Sequence, residues 1–208
     1  MISCKIKVCG ITNEANYNDL KNYPVDYFGF IFYDKSPRYL LKYDNIEFIK
    51  SINNKVGVFI DDDITNVIGL CEKYNFKTIQ LHGNEDPNYC YKLKDNGIKI
   101  IKTFLINSSD DLKNINLFNE SVDYFLFDYK SRYYGGSGKN FDWRVLNNVE
   151  IFQPFFLSGG ISLDNIDNLN IIKNKSNLYA IDINSNFETF PGFKNIDLID
   201  KLFNKLDL

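Results

Sequence analysis

Histidine occurs once in the 208 residues, as His82, and the sequence contains only four cysteines. These cysteines form neither a C-x-x-C pair nor a cluster with the histidine, and their positions are Cys4, Cys9, Cys71 and Cys90. Structural zinc sites need four closely spaced Cys or His ligands. The sequence therefore does not predict a zinc site, and we expect no metal.

Long hydrophobic runs and an excess of either charge are also lacking. No apolar stretch approaches the length of a membrane-spanning helix, and the N-terminus lacks the pattern of a secretory signal. The 24 Lys and Arg residues are dispersed among 27 Asp and Glu residues, which disfavours nucleic-acid and membrane partners. We expect a cytoplasmic protein with reduced thiols and small-molecule partners, and its oligomeric state stays open.

Short apolar runs of the buried-strand type are what the sequence has in abundance. Each is followed by a helix-compatible segment, and no break in composition interrupts residues 1–208. Eight such units favour a single-domain (β/α)8 TIM barrel of the α/β class. An open doubly wound sheet is the alternative, although no G-x-G-x-x-G follows any strand. The predicted strands are 5–12, 26–33, 55–60, 76–82, 98–104, 124–129, 155–160 and 178–183.

Several polar residues mark the expected starts of helices. Asp86-Pro87 combines an N-cap residue with a proline at the first helical position, and Ser108 with Asp111 fits a capping pair. Asp44 with Glu47 fits the same pattern, and Ser162 is expected to cap the helix after the seventh strand. The segment 196–206 has the clearest amphipathic period.

The stretch K-I-K-V-C-G-I-T, residues 5–12, places a cysteine at the end of the first strand. Cys9 shares a strand face with Lys7, because side chains two residues apart point the same way. A nearby ammonium lowers the pKa of a thiol, so Lys7 is a candidate for the group that activates Cys9. The alternative is that Cys9 is a small buried hydrophobic residue.

Asp128 is a carboxylate inside an otherwise apolar strand, F-L-F-D-Y. As a general acid near neutrality it needs its pKa raised by roughly three units, and desolvation by the strand is the available cause. The alternative is a structural carboxylate held by backbone amides or a lysine.

The segments after the seventh and eighth strands, L-S-G-G and I-D-I-N-S, are candidates for a phosphate site. In barrels of this type these two loops commonly bind phosphate through backbone amides, and glycine allows close approach. Turn glycines are the alternative explanation for Gly159 and Gly160.

Three other features leave their roles open. Arg38, in S-P-R-Y, is either a clamp for a carboxylate or phosphate or a solvated loop residue. His82 is a substrate or neighbouring contact, or a satisfied core residue. The glycine-rich loop from Tyr133 to Gly138 is a lid or a flexible connection.

Taken in order, these segments resemble the phosphoribosylanthranilate isomerase family nearly end to end. The matching blocks are K-V-C-G-I-T, G-F-I-F-Y-x-K-S-P-R-Y, V-G-V-F, Q-L-H-G-x-E, F-D after a hydrophobic run, G-G-S-G-K-x-F-D-W, L-S-G-G and D-x-x-S-x-x-E-x-x-P-G-x-K. The resemblance implies a cofactor-independent barrel of tryptophan biosynthesis, an aromatic amino acid pathway. Its reaction is an Amadori rearrangement of N-(5-phosphoribosyl)anthranilate to the aminodeoxyribulose phosphate.

The same resemblance implies a role for individual residues. Cys9 matches the general base and Asp128 the general acid, while Arg38 matches the residue that holds the anthranilate. Gly159, Gly160 and Ser185 match the phosphate site. The full set expected to bind the phosphorylated substrate is Arg38, His82, Gly159, Gly160, Asp182, Asn184 and Ser185.

One departure from the family pattern concerns the eighth loop, where Asn186 follows Ser185 in place of glycine. Asn tolerates a left-handed backbone, but its side chain is expected to crowd a phosphate.

Two alternative functions are also considered. One is an indole-glycerol-phosphate synthase, for which Lys102 and Lys130 lie near strand ends, and the other is a non-catalytic barrel that binds a phosphometabolite.

Overall fold

Eight parallel strands close into a barrel in the computed structural model, which describes residues 4–130, 141–172 and 175–208. Each strand pairs with the next one in the chain, and the first also pairs with the eighth. This confirms the (β/α)8 barrel and not the open sheet. The strands are β1 (Lys5–Val8), β2 (Tyr27–Ile31), β3 (Lys55–Phe59), β4 (Thr78–Leu81), β5 (Lys99–Ile106), β6 (Tyr124–Tyr129), β7 (Phe155–Leu157) and β8 (Leu178–Ile183).

Four α-helices in the described ranges follow strands of the barrel: α1 (Glu14–Leu20), α2 (Ile64–Tyr74), α3 (Pro87–Asp95) and α4 (Ile196–Leu206). The other helical segments are short 3-10 helices. None of the helices in these ranges combines the length and apolar character needed to cross a membrane. The 3-10 helices are Leu40–Lys42, Ile46–Ser51, Ser109–Leu112, Ile115–Phe118, Trp143–Asn148, Ile166–Ile171, Lys175–Asn177 and Ser185–Phe187.

Two of the predicted helix starts are confirmed. The Asp86 carboxylate accepts a hydrogen bond from the Tyr89 amide at 2.7 Å, and Pro87 begins α3. The Asp111 carboxylate accepts from the Ser108 amide at 3.1 Å, ahead of a 3-10 helix and not an α-helix. These carboxylates satisfy amides that the first turn leaves without a partner.

Two other predicted caps are wrong. Asn45, and not Asp44, precedes the helix after β2, and it adopts a left-handed conformation with φ of 58°. Asparagine tolerates that conformation better than most residues. Ser162 does not cap the helix after β7, because Asn165 precedes it and the side-chain oxygen of Asn165 accepts a hydrogen bond from the Ser162 amide at 2.9 Å.

The barrel divides the apolar side chains into two layers, as strand alternation requires. Residues such as Ile6 and Val8 point outward and join the large core beneath the helices. The inner layer is smaller and is capped at the amino-terminal end of the barrel by three tyrosines. It contains Val56, Ile101, Leu126, Phe156 and Ala180, packed against Tyr27, Tyr124 and Tyr179.

A short antiparallel hairpin follows β8 and consists of β9 (Glu188–Phe190) and β10 (Phe193–Lys194). It is fastened to the segment after β1. The Thr12 hydroxyl donates to the Gly192 carbonyl at 3.0 Å, and the side-chain oxygen of Asn16 accepts from the Lys194 amide at 2.8 Å. The hairpin therefore carries its side chains to the mouth of the barrel beside β1. The predicted glycine-rich loop, Tyr133 to Gly138, lies outside the described residues.

Gly29 in β2 makes room for the Cys9 side chain. A Cβ atom at this buried glycine would lie 2.7 Å from the Cys9 sulfur and 3.0 Å from its Cα. No side chain larger than hydrogen fits between β1 and β2 at this level without a shift of the strands.

We expect Gly29→Ala to lower the free energy of unfolding by about 1–3 kcal/mol, the range for overpacking a core. The matched control is Gly69→Ala in α2, where nothing lies within 4 Å of the added methyl. In this control the substitution should raise the free energy of unfolding by about 0.5–1 kcal/mol, because alanine has a higher helix propensity than glycine. Urea unfolding of both variants measures the difference, and a Gly29→Ala protein as stable as the parent would contradict this packing.

Candidate active site

A buried ion pair joins the first and last strands of the barrel. Lys7 and Asp182 are register partners in β1 and β8, and the Lys7 ammonium lies 2.9 Å from both carboxylate oxygens. Neither side chain is exposed by more than 5%. Burial alone would lower the pKa of Lys7, but the charge and hydrogen bond of Asp182 together with those of Cys9 outweigh it, and the pKa is raised. Lys7 is therefore a fixed cation inside the barrel.

Cys9 lies just beyond β1, on the same inward face as Lys7. Its thiol is buried in a small apolar cluster with Ile31 and Val58. Burial raises the pKa of Cys9 above its ordinary value, although the ammonium groups of Lys7 and Lys194 act to lower it. The hypothesis that Lys7 brings the pKa below its ordinary value is therefore wrong, because desolvation is the larger effect. The two cations limit the rise.

Asp128 lies near the end of β6 with its carboxylate 20% exposed. One oxygen accepts a hydrogen bond from the Tyr129 amide at 2.7 Å. Burial raises the pKa of Asp128 to about 7, and the Tyr129 bond opposes this only in part. The pKa predicted from the apolar strand is confirmed, both in direction and in cause. A group of this pKa can hold a proton near neutrality and release it.

His82 connects Asp128 to the interior of the barrel. Its Nε2 atom is 3.6 Å from an Asp128 oxygen, and its Nδ1 atom is 3.0 Å from the Gln80 amide nitrogen. Burial, together with the positive charges of Lys102 and Lys7, lowers the pKa of His82 to about 3. The imidazole is therefore neutral over the physiological range.

Arg38 is buried, which excludes the solvated loop residue of the sequence analysis. Its guanidinium binds both oxygens of Glu188, with Nε at 2.9 Å from one and Nη2 at 2.5 Å from the other. Lys194 also contacts Glu188, at 2.6 Å, and the Asn184 side chain at 2.8 Å. Burial acts to raise the pKa of Glu188, but the two cations outweigh it and the pKa is lowered. One carboxylate thus orients two cations at the mouth.

The predicted phosphate loops meet beside this network. Gly159 and Gly160 both have positive φ, 85° and 73°. A Cβ on Gly159 would lie 2.7 Å from the Tyr129 amide nitrogen, so only glycine fits there. The side-chain amide of Asn186 donates to the Gly160 carbonyl at 3.0 Å and connects the two loops.

Asn186 does not need the left-handed backbone considered in the sequence analysis. The described non-glycine residues with positive φ are Asn45, Asp61, Asn75 and Asp207, and Asn186 lies instead in the 3-10 helix that begins at Ser185. Its side chain is engaged by the backbone of the neighbouring loop.

The structure brings the predicted site residues to one end of the barrel in three groups. Cys9 lies with Lys7 and Asp182, Asp128 lies with His82 and Gly159, and Arg38 lies near Gly10 and Asn184. Ser185 begins the 3-10 helix after β8. Gly10, with φ of 79°, allows this approach, since its Cβ would lie 2.6 Å from Arg38 Cδ.

Three residues that contribute to the site were missed by the sequence analysis as site residues: Gln80, Glu188 and Lys194. Glu188 and Lys194 belong to the block D-x-x-S-x-x-E-x-x-P-G-x-K, and their spacing gave no sign that both would reach Arg38 or Cys9. Gln80, a buried polar residue in an apolar strand, carried the same signal as Asp128. In the described ranges no group of three or more His, Cys, Asp and Glu side chains is arranged to hold a metal ion.

The Lys7 and Asp182 pair allows a test of how much burial matters. Lys7→Met leaves a buried carboxylate without its counter-ion and should cost about 3–5 kcal/mol of unfolding free energy. Adding Asp182→Val should recover most of this loss, because a buried pair is replaced by apolar groups. Urea unfolding monitored by circular dichroism gives both values.

The control is Lys113→Met, which breaks an ion pair of the same 2.9 Å length between side chains that are 71% and 77% exposed. That change should cost less than about 1 kcal/mol. Equal losses from Lys7→Met and Lys113→Met, or a double variant as unstable as the sum of its parts, would contradict a desolvated ion pair.

Comparison with known proteins places this site in a family. Residues 6–205 match the family model described as N-(5'phosphoribosyl)anthranilate (PRA) isomerase. The chain is 35% identical to the N-(5'-phosphoribosyl)anthranilate isomerase of Parabacteroides distasonis over 97% of its length and 92% of that protein. The isomerase of Petrotoga mobilis is also 35% identical, over 98% of this chain and 97% of the relative.

Solved structures give the same result. The phosphoribosyl anthranilate isomerase from Thermotoga maritima superposes with a TM-score of 0.85 at 29% identity, over 99% of this chain and 100% of the other. A second such isomerase, in complex with reduced 1-(o-carboxyphenylamino)-1-deoxyribulose 5-phosphate, has a TM-score of 0.83 at 27% identity, over 99% and 100% of the two chains. With blocks, barrel and site in agreement, this chain belongs to the N-(5'-phosphoribosyl)anthranilate isomerase family.

Proposed function

We propose that this chain is the isomerase of tryptophan biosynthesis that converts N-(5-phosphoribosyl)anthranilate to 1-(2-carboxyphenylamino)-1-deoxyribulose 5-phosphate. The observation that carries the proposal is the pair of proton-transfer groups at the barrel mouth. Asp128 has a pKa of about 7, and Cys9 is a buried thiol next to two ammonium groups. An Amadori rearrangement needs one proton donor and one proton acceptor, and the substrate supplies the remaining electrons.

In the first step Asp128 acts as the general acid. Its proton moves to the furanose ring oxygen, the C1–O bond breaks with its electron pair going to that oxygen, and the anthranilate nitrogen forms the C1=N iminium. Asp128 is left as a carboxylate. A carboxyl of ordinary pKa would be ionised at neutral pH and have no proton to give, so burial of Asp128 supports this assignment.

In the second step Cys9 acts as the general base. Its thiolate takes the C2 proton, the C–H electrons form the C1=C2 bond, and the π electrons of the C1=N bond move to the nitrogen and neutralise the iminium. The resulting enolamine becomes the ketone when C1 gains a proton and the C2 hydroxyl loses one. Lys7 and Lys194 lower the free energy of the thiolate, against the effect of burial.

The reaction requires one proton on the pair, on Asp128 and not on Cys9. Below the pKa of Asp128 both groups are protonated and the base is blocked, whereas above the pKa of Cys9 both are ionised and the acid is absent. Because the pKa of Asp128 is about 7 and that of Cys9 lies above its ordinary 9.0, the form with one proton prevails between these values. Its proton is mostly on Cys9, and the reactive isomer, with the proton on Asp128, is a minor share of this form that does not change with pH across the range. The pair therefore suits catalysis at and above neutral pH.

Two parts of the barrel mouth are proposed to bind the substrate. Arg38 is held by Glu188 through Nε and Nη2, which leaves Nη1 to bind the anthranilate carboxylate. In the two loops beside this network, Gly159, Gly160 and Ser185 offer backbone amides to the phosphate. The Asn186 side chain is bound to the Gly160 carbonyl, an orientation that supports a phosphate site free of crowding.

The two lysines considered for an indole-glycerol-phosphate synthase do not favour that reaction. Lys102 faces outward from β5, where it binds Glu85 and the Gly83 carbonyl, both at 2.7 Å. Lys130 is 2.8 Å from Asp111 and half exposed. A non-catalytic barrel is disfavoured by a carboxyl whose pKa is raised to about 7, which costs stability without serving a structural purpose.

We also propose that residues 1–208 form one domain that works in the cytoplasm on a small phosphorylated substrate, without a cofactor, nucleic acid or membrane. All four cysteines are free thiols, in keeping with a reducing compartment.

Cys9→Ala and Asp128→Asn should each lower kcat by about 10²–10⁴-fold with KM nearly unchanged, because a positioned acid or base contributes this much. The loss of substrate fluorescence measures turnover.

Cys71→Ala and Asp63→Asn serve as controls. They remove a buried thiol of α2 and its N-cap carboxylate, neither of which takes part in the contacts of Cys9, Asp128 or Arg38 described above, and turnover should stay within about twofold of the parent. Full turnover by either site variant would refute its assigned role, and a parent protein without turnover would refute the proposed function.

A further inference from the structure

His82 faces the proposed acid but belongs to neither half of the acid–base pair. It is the only histidine in the chain, and its side chain is 12% exposed at the end of β4. The sequence analysis left its role open between a substrate contact and a core residue. The contacts of His82 indicate a third role, which rests on the function proposed above.

The position of the imidazole proton follows from Gln80. The Gln80 amide nitrogen lies 3.0 Å from His82 Nδ1 and 3.3 Å from the Thr103 hydroxyl. An amide nitrogen can only donate, so Nδ1 must accept, and the proton of a neutral imidazole is then on Nε2. That nitrogen is the one that faces Asp128, 3.6 Å away.

The amide orientation of Gln80 has a clear physical preference. In the present orientation its buried Oε1 atom has no hydrogen-bond partner among the described residues. The opposite orientation would leave both N–H groups of the amide unpaired instead of one carbonyl. An unpaired buried donor costs more than an under-satisfied carbonyl, so Gln80 holds His82 in the Nε2–H form.

We propose that His82 is a positioning residue, a neutral Nε2–H donor that Gln80 aims at Asp128 and that stabilises its carboxylate as the acid gives its proton to the ring oxygen. The distance of 3.6 Å is longer than a hydrogen bond and shortens when the carboxylate forms, as catalytic contacts commonly do on charge development. Each carboxylate oxygen then has one neutral donor, the Tyr129 amide on one and His82 on the other.

A neutral donor suits this acid better than a cation. The charged groups that face Asp128 are Lys7 from β1 and Asp182 from β8, and their charges oppose each other. A protonated His82 would add a full positive charge and ionise Asp128 before the substrate arrives. Burial, together with the charges of Lys102 from β5 and Lys7, keeps the imidazole neutral.

The first test uses the parent protein and no substrate. Because there is a single histidine, a long-range ¹H–¹⁵N spectrum of labelled protein shows one imidazole. We expect a protonated Nε2 and an unprotonated Nδ1, without titration from about pH 5 to about pH 8. Gln80→Leu should mix the two neutral forms. A proton on Nδ1 in the parent, or titration near the ordinary histidine pKa of about 6.5, would overturn the proposal.

The second test compares His82→Leu, which removes the donor, with His82→Gln, which keeps an N–H. Without the donor, the acid-side midpoint of the pH profile should rise by about one unit and kcat should fall about tenfold, with KM within about twofold. His82→Gln should restore the midpoint and most of kcat. A purely structural role predicts equal effects of both variants and an unmoved midpoint. An inactive parent would refute the proposed reaction, while the NMR test would still decide where the proton lies.

Discussion

The ion pair between Lys7 and Asp182 is the interaction on which the rest of the site depends. It spans the seam where β1 meets β8 and the barrel closes, at a distance of 2.9 Å and out of contact with water. Two charges are hard to bury unless each is the other's partner, so the pair fixes both strands. Cys9 and Asn184 then continue these strands to the mouth, and their positions follow from the closure.

The same burial sets the two proton-transfer groups apart. Desolvation raises the pKa of Asp128 to about 7, and it also raises that of Cys9, where two lysines limit the effect. One physical cause thus supplies an acid that keeps its proton at neutral pH, while the fixed cations supply the partial compensation that a base needs. At the mouth of the barrel a second buried carboxylate, Glu188, likewise fixes cations, because it binds Arg38 and Lys194 at once.

Much of this was predictable from local sequence. The apolar runs specified all eight strands, and a carboxylate within F-L-F-D-Y was enough to predict the shifted pKa of Asp128, because burial is a local property of such a strand. The direction of the pKa shift of Cys9 could not be predicted in this way, since it depends on a balance between desolvation and charges from β1 and β10. Gln80 and Glu188 act through residues distant in the chain, and only closure of the barrel brings them together.

Direct titration of the Asp128 carboxyl tests the central claim, that burial in the barrel mouth holds this acid protonated near neutrality. Protein labelled with ¹³C at the aspartate carboxyl carbons is titrated by NMR, and the resonance missing from Asp128→Asn identifies the group. The account predicts a midpoint of about 7. A midpoint near the ordinary aspartate value of about 3.9 would contradict it, because Asp128 would then be ionised throughout the working range.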